Sequence, residues 1–507
     1  MSKDLAELLF PDVYKTPNDY LKMYPERKLV PGAEVLRFAP SPTGFLHIGN
    51  FYSVFNQYLA VKKAGGVLYM RLEDTDSKRE KTGTGEAIYQ GILSYGIVPD
   101  EGYCGDSLPE KGNYGPYMQS KRIEIYKAFA KDIVVRGNAF PCFCKKSESK
   151  HEILERREKE LDENDGIAEK DCCRGLTFQQ IKEKLAGGQR FALRLKSKGD
   201  GIKSRKIHDL FKGEREIKEN AKDIVLLKQD GIPPYSLASI VDDILMRTTK
   251  IIRGEEWYPS FPAHLEVFEA MGLMPLQYGH APVICTVDAA TGNKRKLSKR
   301  LDAHADMRFY ALAGYPRESV LEYLLTLANS DFELWRIANP NKSFLEFDFS
   351  LGKIGSNNPM FDLQKLDHIS KNIIARKTCK EISQEVAVFF KGKDIDLEKV
   401  YKILCIDRET PKPRKDIAKY SDIPVLYDYL FKSSAKANKT SKGYCKIYNH
   451  SDTKEEWFSR IKAATTDVRE YTKQIRLALT GKENTPDLYA IMQILGEAEV
   501  IKRLAGK

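Results

Sequence analysis

The chain has 507 residues, 42% apolar and 10% aromatic, with a formal net charge of +11, which is long enough for several modules that each bury a core. That composition excludes wholesale disorder, and no run of about 18 apolar residues offers a membrane span. Nine cysteines in irregular spacing argue against a disulfide framework and for a reducing, cytoplasmic setting, and the acidic N-terminus lacks the apolar stretch of a secretory signal.

In chain order, residues 1–34 hold Pro11, Pro17, Pro25 and Pro31 and predict short helices and turns wrapping the first domain. A strand over 35–39 is followed by a Pro/Gly turn and by a helix starting near Gly49, with apolar positions 51, 54, 55, 58, 59 and 61 on one face. Gly65-Gly66 stops that helix, and residues 67–72 read as a buried strand. Such alternation predicts a parallel sheet with crossover helices and a ligand site at the carboxyl ends of its strands. Residues 138–215 interrupt the pattern with Phe140-Pro-Cys-Phe-Cys144, a charged helix from His151 to Glu160 and an apolar run near Arg190, and read as an insertion. The parallel pattern is expected to return at 223–228 and 249–254. After Leu301 the reading is helical: residues 317–329, a helix opening at 361, and Leu488, Ile491, Met492 and Leu495 before a stop at Gly496. Residues 433–441 read as a flexible loop. Residues 371–507 hold 28 Lys/Arg against 19 Asp/Glu, leaving 54 against 52 for the rest. A basic helical tail beside a near-neutral body suits a module that tracks a polyanion, with charge kept for solubility as the alternative.

Two segments carry the chemistry. Arg37-Phe-Ala-Pro-Ser41-Pro-Thr-Gly-Phe-Leu-His47-Ile-Gly49-Asn50 joins a strand to a helix N-terminus, whose unpaired N–H groups and positive dipole suit a triphosphate. Lys294-Arg-Lys296-Leu297-Ser298-Lys299-Arg300 is a basic loop able to follow charge developing on transferring phosphates. Alone, each passes for an ordinary turn or a solvated loop. Together, in this order, they resemble the two signatures of class I aminoacyl-tRNA synthetases, and the strings RFAPSPTGFLHIG and KLSKR resemble the bacterial glutamyl branch.

That resemblance implies an α/β fold: a Rossmann-type parallel sheet with an inserted α+β domain, followed by an all-α C-terminal anticodon-binding bundle. The expected modules are an N-terminal extension (1–34), a split catalytic domain (35–137 and 216–300), an inserted acceptor-end-binding domain (138–215), a stem-contact domain (301–370) and a helical anticodon-binding domain (371–507). It further implies ATP-dependent activation of L-glutamate with Mg²⁺, then transfer to the terminal adenosine of tRNA(Glu), by a cytoplasmic monomer without membrane contact. His47, Gly49, Lys296 and Lys299 are the expected catalytic residues. Arg37, Ser41, Glu73, Tyr235, Ser239 and Arg253 would bind glutamate, and His47, Gly49, Asn50, Glu256, Trp257, Leu297, Ser298 and Lys299 would bind ATP.

The residue chemistry supports these roles. Glu73, Asp74 and Asp76 follow the second strand, well placed for an ammonium group or simply for capping the next helix. Arg253, in Arg-Gly-Glu-Glu-Trp, offers a fork for a side-chain carboxylate, against the plainer reading of an ion pair. Relatives usually carry His where this chain has Ser236, and many carry Asn or His at Ser239; two smaller residues would enlarge the amino acid pocket. Asn50 stands where the eponymous motif has its second His, a position that varies in the glutamyl branch. Cys142, Cys144, Cys172 and Cys173 could hold a structural zinc, with His151 as a competing ligand, or be buried thiols. Tyr444, Tyr448, Trp457 and Arg476 are candidate anticodon contacts, although aromatics in a bundle more often form core. Three rivals remain: a paralogue charging tRNA(Gln) or both tRNAs, a glutaminyl-tRNA synthetase (disfavoured by Arg253 and the helical tail), and an idle tRNA-binding protein.

Overall fold

The computed structural model describes residues 2–75, 82–144, 172–432 and 444–505. Asp76, the expected helix from His151 to Glu160 and the expected loop over 433–441 fall outside or almost wholly outside them. Two compact units result: residues 1–308 with 325–361, and residues 309–324 with 362–507.

In the first unit the parallel sheet is built in two halves. Strands β1 (Val35–Phe38), β2 (Val67–Met70) and β3 (Glu101–Gly102) pair in parallel in that order. Leu36, Leu68, Tyr69 and Met70 are buried on both faces, as parallel strands covered by helices must be. The helix Ile48–Ala64 makes the first crossover. It ends where Gly65 turns left-handed (φ 63°), and a Cβ on Gly66 would sit 2.2 Å from the Glu34 carbonyl oxygen.

An antiparallel sheet follows, opened by β4 (Ala139–Cys142) and β5 (Ala192–Leu195). The next two strands, β6 (Ser204–Asp209) and β7 (Gly213–Lys218), form a hairpin. Then β8 (Val225–Leu227) returns to pair antiparallel with β5. Thus the expected return to the parallel sheet at 223–228 is corrected: that run completes the inserted sheet. A short apolar strand carries no mark of its partner's direction, so pairing is decided by tertiary contact. The longer, polar strand β6 lies inside the expected insertion yet joins the second half of the parallel sheet. That half runs β7-β6-β10-β9, with β9 (Lys250–Gly254) and β10 (Gln277–Ala281) parallel and β10 parallel to β6 through Tyr278 and Asp209. The two halves meet where the Val35 carbonyl accepts the Thr249 N–H (3.0 Å) and the Thr249 hydroxyl accepts the Val35 N–H (2.9 Å). Strand order reverses at this seam, where open α/β sheets bind ligands. The basic segment is carried by a second hairpin, β11 (Cys285–Val287) with β12 (Lys294–Lys296).

The N-terminal residues do wrap this unit. Lys131 from the helix Ile123–Val135 donates to the Phe10 and Val13 carbonyls (3.2 and 2.8 Å) and pairs with Glu7. Arg27 forks onto Glu101 at 2.8 and 3.0 Å.

The second unit is helical, with no strand among its described residues. Its helices include Leu363–Arg376, Cys379–Phe389, Leu397–Cys405, Lys454–Ala464, Val468–Thr480, Leu488–Leu495 and Glu497–Leu504. Capping boxes at Thr378/Glu381 and Thr453/Glu456 satisfy orphan N–H groups at two of their starts. Ile382, Val386, Val400, Ile403, Ile461, Leu479, Ile491 and Met492 fill a core, each worth about 1.5–3 kcal/mol on full burial. Trp457 belongs to that core, 5% exposed and 6.0 Å from Tyr489, so it offers no stacking platform. Tyr444 and Tyr448 pack against the same core, and Arg476 donates to the Glu483 carbonyl (3.4 Å). Among the described residues no helix is long and apolar enough to cross a membrane.

Candidate active site

A cleft of about 950 Å³ opens at the carboxyl ends of β1 and β9, the crevice that the reversal of strand order creates. Arg37, Ser41, His47, Gly49, Asn50, Glu73, Tyr235, Arg253, Glu256, Trp257 and Lys296 all line it. Residues from five separate stretches, 37–50, 73, 235, 253–257 and 296, therefore converge. Four expected residues do not reach its wall. Ser239 is 2% exposed and its hydroxyl donates to the Tyr235 carbonyl one turn back (2.7 Å), a bond short side chains make within helices. Leu297 is buried, and its N–H donates to the Ile284 carbonyl (3.1 Å). The Ser298 N–H donates to Asp302 (2.9 Å). Lys299 folds its ammonium onto the Phe45 carbonyl. Ser236 is also off the wall, so an enlarged pocket from Ser236 and Ser239 is not what the structure shows.

His47 is the N-cap of the helix Ile48–Ala64. Its Nδ1 accepts the Gly49 N–H (2.9 Å), which leaves the ring proton on Nε2. Burial, with Lys299 and Lys296 adding repulsion, brings its pKa down to about 4. The imidazole is therefore neutral near pH 7, and its remaining N–H is drawn on by the Leu297 backbone.

Behind the cleft lies a buried ion network. Asp243 accepts from Arg37 Nε (3.2 Å) and Arg71 Nη1 (2.8 Å), and Arg71 Nη2 donates to Glu73 (3.0 Å). Arg122 and Gln119 hold Asp242 at 2.6 and 2.9 Å. Burial works against ionised Asp243, but Arg37 and Arg71 hold its pKa below the ordinary carboxylate value. Glu73 is pushed up by burial against the pull of Arg71. Arg37 also donates to the Ile252 carbonyl (2.6 Å), so two of its nitrogens serve the scaffold.

Arg253, at the end of β9, differs from the buried arginines Arg37, Arg71 and Arg122 around it. It is 5% exposed, yet no carboxylate lies within ion-pair distance of it among the described residues. Its Nε donates to His280 Nε2 (2.9 Å), and its Nη1 lies 3.5 Å from His264 Nε2. Tyr278 presents its ring face 5.0 Å from the guanidinium carbon. Nη2 is buried without a hydrogen-bond partner. Burial and the neighbouring Arg253 hold His264 far below its ordinary pKa, and burial lowers His280 as well. A full positive charge thus sits among neutral groups on the wall of a cleft.

The basic loop is folded back. Arg295 forks onto Asp302 at 2.6 and 2.8 Å and reaches Asp288 (3.0 Å). Lys296 pairs with Glu256 at 2.5 Å, and the Tyr235 and Trp257 rings lie tilted against each other with centroids 4.6 Å apart. In the inserted sheet, the thiol sulfurs of Cys142, Cys144 and Cys173 lie within 4.8 Å of one another. The side chain of Cys172 lies outside the described ones.

The family description "tRNA synthetases class I (E and Q), catalytic domain" matches residues 34–367, and "Anticodon binding domain" matches residues 444–506. A protein of Clostridium perfringens (strain 13) named glutamate–tRNA ligase is 38% identical over 99% of this chain and 100% of its own length. One of that name from Acetivibrio thermocellus is 37% identical over 99% of both chains. The chain belongs to the glutamate–tRNA ligase family. In the same fold, a glutamate tRNA ligase from Elizabethkingia meningosepticum, solved in complex with its amino acid, superposes with a TM-score of 0.73 at 24% identity, covering 93% of this chain and 98% of that one.

Membership makes the chain an aminoacyl-tRNA ligase of class I, with ATP as substrate. Motif reading passed over His280, Asp209 and His264 of this ligase and gave Arg71, at the head of the Glu73 motif, no role. Asp209 and His280 stand on strands that meet only in the folded sheet, and no spacing in the chain relates them.

Proposed function

We propose that the cleft holds L-glutamate with its side-chain carboxylate on Arg253, and that the chain joins it to tRNA(Glu) through a glutamyl-adenylate. The observation that carries this is the buried Arg253 guanidinium, which has only neutral neighbours and an unpartnered Nη2. An uncompensated buried cation is costly, and an incoming carboxylate repays that cost. A carboxamide, being neutral, repays little. Glu73, anchored by Arg71, faces the cleft and suits the α-ammonium group.

ATP would lie along Gly49 and Asn50, with His47 donating from Nε2 to a phosphate oxygen and the Tyr235–Trp257 face beside the base. The glutamate α-carboxylate attacks the α-phosphorus, forming the new P–O bond as the bond to pyrophosphate breaks. Positioning and charge stabilisation dominate such a step. Lys296 and Lys299 would neutralise the departing pyrophosphate after leaving Glu256 and the Phe45 carbonyl. Magnesium would accompany the triphosphate and supply further neutralisation. A terminal ribose hydroxyl of tRNA then attacks the acyl carbon and AMP leaves. The basic helical unit, matched by an anticodon-binding description, would take the anticodon, and the inserted sheet the acceptor end.

Zinc fits the inserted sheet. Three thiol sulfurs within 4.8 Å would, on losing their protons, supply three ligands of a tetrahedral site, and Cys172 is the expected fourth from the sequence alone. The metal would be structural, clamping the two thiol-bearing segments. The deciding experiment is ATP–pyrophosphate exchange with and without tRNA across the standard amino acids, followed by charging of purified tRNA(Glu) and tRNA(Gln). Exchange with no amino acid, or with glutamine in preference to glutamate, would overturn the proposal.

A further inference from the structure

Arg253 is aimed by a chain of polar atoms that no signature in the sequence marks. Its Nε–H needs an acceptor, and that acceptor is His280 Nε2 at 2.9 Å. An imidazole nitrogen accepts only when it bears no proton, so the proton must sit on Nδ1. Nδ1 lies 2.6 Å from Asp209 Oδ2, a carboxylate fully buried beneath it. Asp209 cannot turn away, because its Oδ1 accepts the Phe211 and Lys212 N–H groups, each at 3.0 Å. Donation converges on the carboxylate: Arg253 donates to His280, His280 donates to Asp209, and backbone N–H groups donate to Asp209 from the other side.

We infer that Asp209 and His280 are positioning residues for the substrate carboxylate: they lock one imidazole tautomer, orient the Arg253 fork, and do so without placing a carboxylate on it. The inference rests on the reading of Arg253 given above. A carboxylate bonded directly to Arg253 would orient it equally well but would neutralise it and compete with the substrate. Set one imidazole ring away, the Asp209 charge is felt at greater distance and its attraction falls accordingly. Preference for a carboxylate over a carboxamide then resides in three residues on three strands, β6, β9 and β10, of which only Arg253 meets the amino acid.

Asp209→Asn gives the sharpest test because it preserves shape. The backbone N–H groups hold the amide oxygen at the Oδ1 position, which turns the NH₂ group toward His280 Nδ1. The imidazole must then protonate on Nε2 and meet the Arg253 Nε–H donor to donor, as when an isosteric amide imposes the wrong tautomer on a catalytic histidine. We expect the KM for glutamate to rise about 10- to 100-fold. The KM for ATP should be unchanged, and the glutamate-over-glutamine ratio of kcat/KM should fall in parallel. His280→Gln, whose amide oxygen can accept from Arg253, should stay within about threefold of wild type, whereas His280→Leu should match Asp209→Asn. Wild-type glutamate KM in Asp209→Asn, equal effects on glutamate and ATP, or identical behaviour of His280→Gln and His280→Leu would each overturn the inference. Arg253→Ala separates the two levels. If it raises the glutamate KM while Asp209→Asn does not, only the positioning fails; if it too leaves that KM unchanged, the reading of the site fails with it.

Discussion

Replacing Arg253 by Ala should remove the glutamate carboxylate's partner and little else. The guanidinium offers Nη2, which has no partner, and Nη1, whose contact with His264 is 3.5 Å long. Two hydrogen bonds to a charged group are worth about 1.5–3 kcal/mol each. Water entering the open cleft recovers part of that, leaving about 3–4 kcal/mol. This converts to roughly 100- to 1000-fold in kcat/KM for glutamate, since each 1.4 kcal/mol is about tenfold. Arg253→Lys keeps the charge but loses the fork and should fall between Ala and wild type. Stability should move the other way. A buried cation surrounded by neutral acceptors contributes no net stabilisation, so Arg253→Met should melt no lower than wild type. The assay is tRNA-dependent pyrophosphate exchange at varied glutamate, with a thermal melt of each variant. A loss under tenfold, or a melt several degrees lower for the Met variant, would refute the reasoning.

Lys299→Ala should leave both substrate KM values within a few-fold and lower kcat by about 10²–10³, the usual effect of removing one donor to a developing charge; single-turnover adenylate formation measures this. His47 is neutral in the fold down to about pH 4, against an ordinary 6.5. Its depressed pKa means that protonation favours the unfolded chain, so its stabilising contribution is complete above pH 6.5 and is lost as pH falls toward 4. The size is on the order of 2–3 kcal/mol, and urea melts of wild type and His47→Asn across that window should differ in slope. If zinc is bound, metal analysis should find about one equivalent, lost with Cys173→Ser, and chelation should lower the melting temperature; a metal-free native protein would leave the cysteines as packing groups. Removing residues 371–507 should weaken tRNA binding and flatten its salt dependence while glutamate-independent ATP affinity persists; unchanged tRNA affinity would refute the tail's role.

Much of the frame could be read from the chain because its signals are local. Helical spacing at Leu488, Ile491, Met492 and Leu495, all buried in the fold, needs only the 3.6-residue period. The stop at Gly65-Gly66 needs only a left-handed residue and a close backbone approach. His47, Glu73 and Arg253 were legible because each stands in a string that resembles a known family. Strand partnership was not: Val225–Leu227 joins β5 rather than the parallel sheet because a three-residue apolar run fits either neighbour, and Asp209 joins β10 from within the insertion through a pairing made only in the folded sheet. Ser239 misled for a related reason. Its place in a motif gave its position along the helix but not that its hydroxyl turns back onto Tyr235.

The sequence by itself determined the class of fold, several of the helices and most of the residues that converge on the cleft, since period, turn chemistry and short motifs are properties of neighbours in the chain. Only the tertiary structure decided how Arg253 is charged and aimed. Its acceptor His280 lies 27 residues ahead of it and the carboxylate behind that ring 71 residues back from His280, and an uncompensated buried charge exists only once the surrounding residues have folded over it.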